Sequence, residues 1–220
     1  MTELTKDILN RIQAGEGINL DFKHSISDAK KIARSLAAFA NTEGGSLLIG
    51  VRDNGSISGI SSEEEYYMIE TAALLHCRPE VKFSYKNHII SGKSVLEIII
   101  DKSSELPHSA PDQDGKHKYY VRVRDENIIA PRTLVETWKR GKKNIKGIKL
   151  KINDTVELLL NDIKENGSIS KSQLMRVTGI RSAEADKLLV NLMLMKIIDI
   201  EITATSVRYI FHKEYNYKNL

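Results

Sequence analysis

Residues 32–55, IARSLAAFANTEGGSLLIGVRDNG, decide the fold class. Ile32, Leu36, Phe39 and Ala40 recur at three- and four-residue spacing, the period of one buried helical face, and Ser27 stands where an N-cap belongs. Gly44-Gly45 closes that helix, and Leu47 to Val51 follows as a continuous apolar run. Such a run suits a central strand buried on both faces, and Asp53-Asn54-Gly55 supplies the tight turn that ends it. Helix and buried strand in immediate succession mean that helices cover a sheet.

Working outward, Leu4, Ile8, Leu9 and Ile12 form the apolar face of a first helix that stops at Gly15, and Asn19 to Lys23 reads as a short strand. Downstream, Ser62 and Glu65 have capping-box spacing ahead of Tyr66, Ile69, Ala73 and Leu74, a helix that Pro79 stops. Strands are expected at Val81 to Tyr85, His88 to Ser91 and Ser94 to Asp101, with turns at Asn87 and Gly92-Lys93. Ser103 to Lys116 reads as a polar loop and Tyr119 to Arg124 as a further strand. Pro131 then opens a helix running through Trp138 to Gly141. The order of elements predicts an α+β domain with a mixed sheet.

Composition changes next. From Arg132 to Lys151 there are eight basic residues against one acid, Glu136, so the rest of a chain with net charge +4 is acidic on balance. The excess either attracts phosphates or keeps a linker solvated. The boundary is placed there: a first domain over 1–141, a basic linker over 142–152 and a second domain over 153–220. The second domain reads as helix (Thr155 to Glu165), helix (Lys171 to Val177), Thr178-Gly179-Ile180 turn, helix (Ser182 to Met195) and two strands, Ile197 to Ile202 and Val207 to His212. That is the layout of a winged helix-turn-helix. Its polar candidates for nucleic-acid contact are Lys171, Arg176, Arg181, Ser182, Lys187, Asn191 and Arg208, joined by Lys139, Arg140, Lys142 and Lys143 upstream and by Lys23 in the first domain. Glu184 and Asp186 dilute the basic character, which favours phosphate contacts over base readout. The bland alternatives are a winged helix used for dimerisation and a Lys23 paired with Asp21.

Several classes are excluded. An apolar content of 41% and a charged content of 28% describe a globular chain, and no apolar run reaches the ~20 residues of a membrane span. The opening MTELTKDILNRI is charged and amphipathic, unlike a signal peptide, so a cytoplasmic setting is expected. The single cysteine, Cys77, read as a small helix residue, has no partners at zinc-ligand spacing, and the six histidines show neither ligand nor triad spacing. The Gly44–Gly50 region lacks both GxxxxGK[ST] and GxGxxG, which removes a P-loop.

Three groups of residues carry a resemblance: Glu16 with Asp21-Phe22-Lys23; Ala38-Phe39-Ala40-Asn41-Thr42-Glu43-Gly44-Gly45; and Ile49 to Gly55 with Gly59. Together with Tyr120-Val121-Arg122-Val123, Asn127 and Ala130, they resemble the Schlafen/Alba-type DNA-binding domain over about residues 10–135. The resemblance implies nucleic acid as partner, DNA first and RNA second, and a transcriptional regulator with a C-terminal winged helix; a homo-oligomer is expected. One subset of that family, the Schlafen nucleases, cuts tRNA or rRNA with three acids whose spacing matches Glu16, Asp21 and Asp53, Asp21 standing where those enzymes have Glu. On that reading the three acids are catalytic and hold Mg²⁺ or Mn²⁺. On the regulator reading no cofactor is needed. The ordinary alternatives are that Glu16 serves a turn and Asp53 makes one.

Overall fold

A computed structural model describes residues 3–60, 62, 64–142 and 153–215. The chain divides into two compact units, Met1–Ala130 and Pro131–Leu220.

The first unit is built on a parallel pair. β1 (Leu20–Lys23) and β2 (Gly45–Ile49) lie side by side with Asp21 opposite Leu47, and the helix between them, α2 (Ala29–Asn41), is their crossover. β4 (Lys93–Ile100) runs antiparallel to β2, and β3 (Ser84–Ile90) pairs outside it, so the sheet order is β1-β2-β4-β3. Strand alternation sends Leu20, Phe22, Leu48, Ile90 and Val95 to one face, where Ile8 and Ile12 of α1 (Glu3–Ala14) cover them. Leu47, Ile49, Leu96, Ile98 and Ile100 point the other way and pack on Ile32, Leu36 and Phe39 of α2 and on Ile69 of α3 (Glu64–Thr71). A second sheet, β5 (Ser109–Pro111), β6 (His117–Val123) and β7 (Glu126–Ile129), adds Ala110 and Tyr120 to that same core.

α2 is buried along almost its whole length, which is why its sequence is so rich in alanine. Its cap is Asp28, one residue later than expected from Ser27: the carboxylate accepts from Lys30 N at 2.8 Å. Glu65 also departs from expectation. Instead of closing a capping box with Ser62 it accepts from Ile26 N at 2.8 Å, joining two distant segments. α3 runs on into a π-helical turn, Ala72–His76, so Cys77 lies just past the helix, where its buried thiol donates to Ala33 O. No turn forms at Asn87, because β3 passes through it unbroken; the chain reverses at Ser91-Gly92, where both residues have positive φ. The segment read as a loop over Ser103 to Lys116 contains β5, and β7 is a strand for which the sequence pattern gives no separate signal.

In the second unit, α5 (Asp154–Asn166) is capped by the Asn153 side chain and α6 (Lys171–Thr178) by that of Ser170, and both end on glycines in the left-handed region, Gly167 and Gly179. α7 (Ser182–Leu194) closes a core of Val156, Leu159, Ile163, Leu174, Leu189 and Leu192. An antiparallel hairpin, β8 (Ile198–Ile202) and β9 (Val207–Phe211), completes it through Ile198 and Tyr209. Ile169 pairs with Tyr209 through two main-chain hydrogen bonds of 2.9 and 2.8 Å, adding a third short strand position that sequence periodicity does not reveal.

The helix α4 (Arg132–Gly141), expected to end the first domain, groups with the second unit. Thr133 Oγ1 and Tyr209 Oη are hydrogen-bonded at 2.7 Å, and Arg140 Nη2 donates to Asn191 Oδ1 at 2.9 Å. Among the described residues no helix is long and apolar enough to cross a membrane.

Candidate nucleic-acid interface

Asp21 sits between two apolar neighbours on β1, so the strand's alternation that buries Phe22 beneath α1 turns Asp21 to the opposite side. There it meets Arg122 of β6. The guanidinium is almost fully enclosed and every nitrogen is engaged: Nη2 donates to Asp21 Oδ1 and Leu20 O at 3.2 Å each, Nε to Gly17 O at 3.1 Å, and Nη1 to Asn127 Oδ1 at 3.2 Å. It also lies over the Phe39 ring at 5.1 Å. Lys23 Nζ, 2.9 Å from Asp21 Oδ2, forms an ion pair without hydrogen-bond alignment, its donor directed to Phe22 O. Lys23 is thereby paired with Asp21.

Glu16 is close by. Its carboxylate accepts from Phe22 N at 2.7 Å. Burial, and then the neighbouring Asp21 carboxyl, raise it above its ordinary pKa, against the lowering effect of that main-chain donor. Two of the three acids are therefore together. Asp53 is exposed in the turn after β2, lining a shallow hollow with Gly15, Phe22 and Asn54. Among the described residues no group of three His, Cys, Asp or Glu side chains is placed to hold a metal ion. With Asp21 already neutralised by Arg122 and Lys23, the donor set does not fit a three-carboxylate Mg²⁺ or Mn²⁺ centre.

The rest of the motif is spent on internal structure. Asn41 Nδ2 donates to His108 O and Tyr120 O at 2.8 and 2.9 Å, and its Oδ1 accepts from His108 N at 2.7 Å. Thr42 Oγ1 accepts from Arg122 N at 2.9 Å. Gly44 has φ +74°, and a Cβ there would lie 2.7 Å from Ile100 O, so glycine is required by both conformation and contact.

On the α1 side of the sheet Glu97 is buried among three donors: Arg11 Nη1 at 2.6 Å, Ser46 Oγ at 2.8 Å and His88 Nε2 at 2.8 Å. Burial alone would raise its pKa, but the donors outweigh burial and hold it below the ordinary value. Sequence reasoning missed this anchor of α1 because a charged residue inside an apolar strand gives no periodic signal.

In the second unit the basic candidates separate. Arg140 and Asn191 bond each other in the α4–α7 contact, and Lys171 is ion-paired with Asp186. Lys139 and Lys142 are exposed; Lys143 lies outside the described residues. Arg176 on α6, Arg181, Ser182 and Lys187 at the start of α7, and Arg208 on β9 are exposed. Among the described residues, none of the cations Arg176, Arg181, Lys187 and Arg208 forms an ion pair. The acids that diluted this face in sequence are engaged locally: Glu184 accepts from Arg181 N at 3.2 Å, and Asp186 takes Lys171.

Comparison with known proteins identifies the first unit. The family described as Schlafen, AlbA_2 matches residues 16–131, more than half of the chain. Among solved structures, the chain is similar to the DIP2311 protein from Corynebacterium diphtheriae, with 19% identity and a TM-score of 0.42 over 68% of this chain and 30% of that one. It is also similar to the N-terminal domain of a "Putative ATP-dependent DNA Helicase RecG-related Protein" from Nitrosomonas europaea, with 17% identity and a TM-score of 0.38 over 58% of this chain and 95% of that one. The chain spans less than a third of the length of the Corynebacterium protein. The matched segment contains the Asp21–Arg122 pair, Asn41 and the glycine turn, and by that match the chain belongs to the Schlafen/AlbA_2 family.

Proposed function

We propose that the chain is a cytoplasmic DNA-binding transcriptional regulator that holds nucleic acid mainly through its phosphates, with the second unit acting as a winged helix-turn-helix. The observation that carries this reading is the set of exposed cations Arg176, Arg181, Lys187 and Arg208 on α6, α7 and β9, none of them ion-paired among the described residues, with Glu201 the cross-strand neighbour of Arg208. Family membership supports a nucleic-acid-related function. The helix, left-handed glycine turn, helix and hairpin of this unit support the winged-helix assignment. Arginine and lysine at these positions neutralise phosphate charge and release counterions, and with Ser182 as the main uncharged polar side chain among them, base readout is slight.

The test is a salt titration of binding to duplex DNA. Four phosphate contacts give a slope of about −3.6 in log affinity against log salt. Neutralising Lys142, Lys143 and Arg208 together is expected to weaken binding and flatten that slope. Binding that ignores salt, or whose affinity and slope are left unchanged by that substitution, defeats the reading. Manganese-dependent cleavage of tRNA that is lost on Asp53→Ala would replace it with the nuclease alternative.

A further inference from the structure

β3 forms one edge of the four-stranded sheet, and among the described residues none of its backbone groups bonds anything beyond β4. The free edge is seven residues long, SYKNHII, with no proline and no bulge, and its single formal charge is Lys86. Tyr85 and Ile89 are 56% and 64% exposed on it. Proteins ordinarily shield such an edge, because it is a template for another strand.

We propose that this edge joins two copies of the chain, β3 pairing antiparallel with the partner copy's β3 about a two-fold axis at Asn87. The strand is complementary to itself in that register. Tyr85 of each copy falls opposite Ile89 of the other, an aromatic against a β-branched residue on one face of the sheet, and Asn87 meets its own copy on the axis. On the other face Lys86 falls opposite His88, whose imidazole is already bonded to Glu97. Shifting the register by two residues either way sets Lys86 or His88 against itself. Shifting by one turns the two sheets over relative to each other. The contact extends beyond the strands: Tyr66 packs on Tyr85 at 4.8 Å between centroids, and Leu74, 50% exposed, lines a hollow with both. The axis is perpendicular to the sheet, so these apolar side chains of both copies face one another over a single eight-stranded sheet. The inference is independent of the nucleic-acid reading.

Cysteine cross-linking and solution mass test it. Opposed residues at the axis have Cα atoms ~4.5–5.5 Å apart, within disulfide reach, whereas two copies of position 89 are separated by four residues of strand, ~13 Å. In the 220-residue chain, Asn87→Cys is expected to give a covalent dimer on mild oxidation and Ile89→Cys none; the native Cys77 is buried and does not interfere. Asn87→Asp, which sets two carboxylates face to face at an exposed position, is expected to raise the dimer dissociation constant at least ~10-fold by sedimentation equilibrium. A chain that stays at monomer mass up to ~100 µM overturns the proposal, as does cross-linking through Ile89→Cys in place of Asn87→Cys, or an Asn87→Asp dimer as tight as the original.

Discussion

The Asp21–Arg122 centre of the first unit and the α6–α7 face of the second both hold arginine beside acid, yet they put charge to opposite uses. In the first unit, Arg122 is enclosed and gives every nitrogen to a neighbour, and Asp21 is taken up by two cations. In the second, Arg176, Arg181, Lys187 and Arg208 project into solvent, and their acidic neighbours are occupied by a helix terminus and by Lys171. A dense motif can therefore mark the joints of a fold, while exposed cations stand at scattered, ordinary positions. Buried charge persists only when its partners are fixed, so it constrains sequence strongly; exposed charge constrains it weakly.

Removing the buried cation gives the largest effect. Arg122→Ala leaves Asp21 enclosed with only Lys23 opposite and uncovers Phe39, which is expected to cost about 3–5 kcal/mol of stability in urea denaturation. Replacing Arg176, Arg181, Lys187 and Arg208 by alanine together is expected to change stability by no more than about 0.5 kcal/mol per site. It should still reduce the salt slope of DNA binding by about 1 for each phosphate that no longer meets a cation. A stable Arg122→Ala chain that no longer binds DNA would reverse the roles assigned to the two regions.

Sequence pattern captured the α2–β2 unit, the helices of the second unit and its hairpin, because each has an apolar period matched to one element. It failed where a side chain acts across the chain. Glu65 looked like a local cap and instead holds Ile26 N. Asn87 looked like a turn residue, but seven residues of pairing with β4 keep it in β3. α4 belongs with the second unit through Thr133–Tyr209 and Arg140–Asn191, contacts between residues 76 and 51 positions apart that no local window contains. Of the three acids matched by spacing, Glu16 and Asp21 are adjacent in space because Glu16 folds back to accept from Phe22 N on β1, whereas the position of Asp53 depends on the direction of a turn.

Two carboxyls sharpen the comparison through pH. Glu97 is held below its ordinary pKa of 4.5, so its ionised form favours the folded state; that stability is complete above the unfolded value and is lost as pH falls through the folded one. Glu16 is raised above 4.5 and acts in the opposite sense, favouring the fold while protonated and losing that contribution as pH rises through its folded value. Glu97→Gln is therefore expected to lower stability at neutral pH and flatten its acid limb, and Glu16→Gln to leave neutral stability equal or higher. Urea titrations from about pH 3 to 7 distinguish the two.

The smallest effect is expected at Asp53, and it is informative because it is small. An exposed aspartate in a turn makes no buried contact whose removal would be felt, so Asp53→Ala should change stability by no more than about 0.5 kcal/mol. If Asp53 joined Glu16 and Asp21 in solution, its charge would contribute to raising the Glu16 pKa, and its removal would bring that value down. The pH at which Glu16 titrates, followed by NMR in the folded chain, is expected not to move. A clear downward shift would bring the three acids together and favour the nuclease alternative for the first unit.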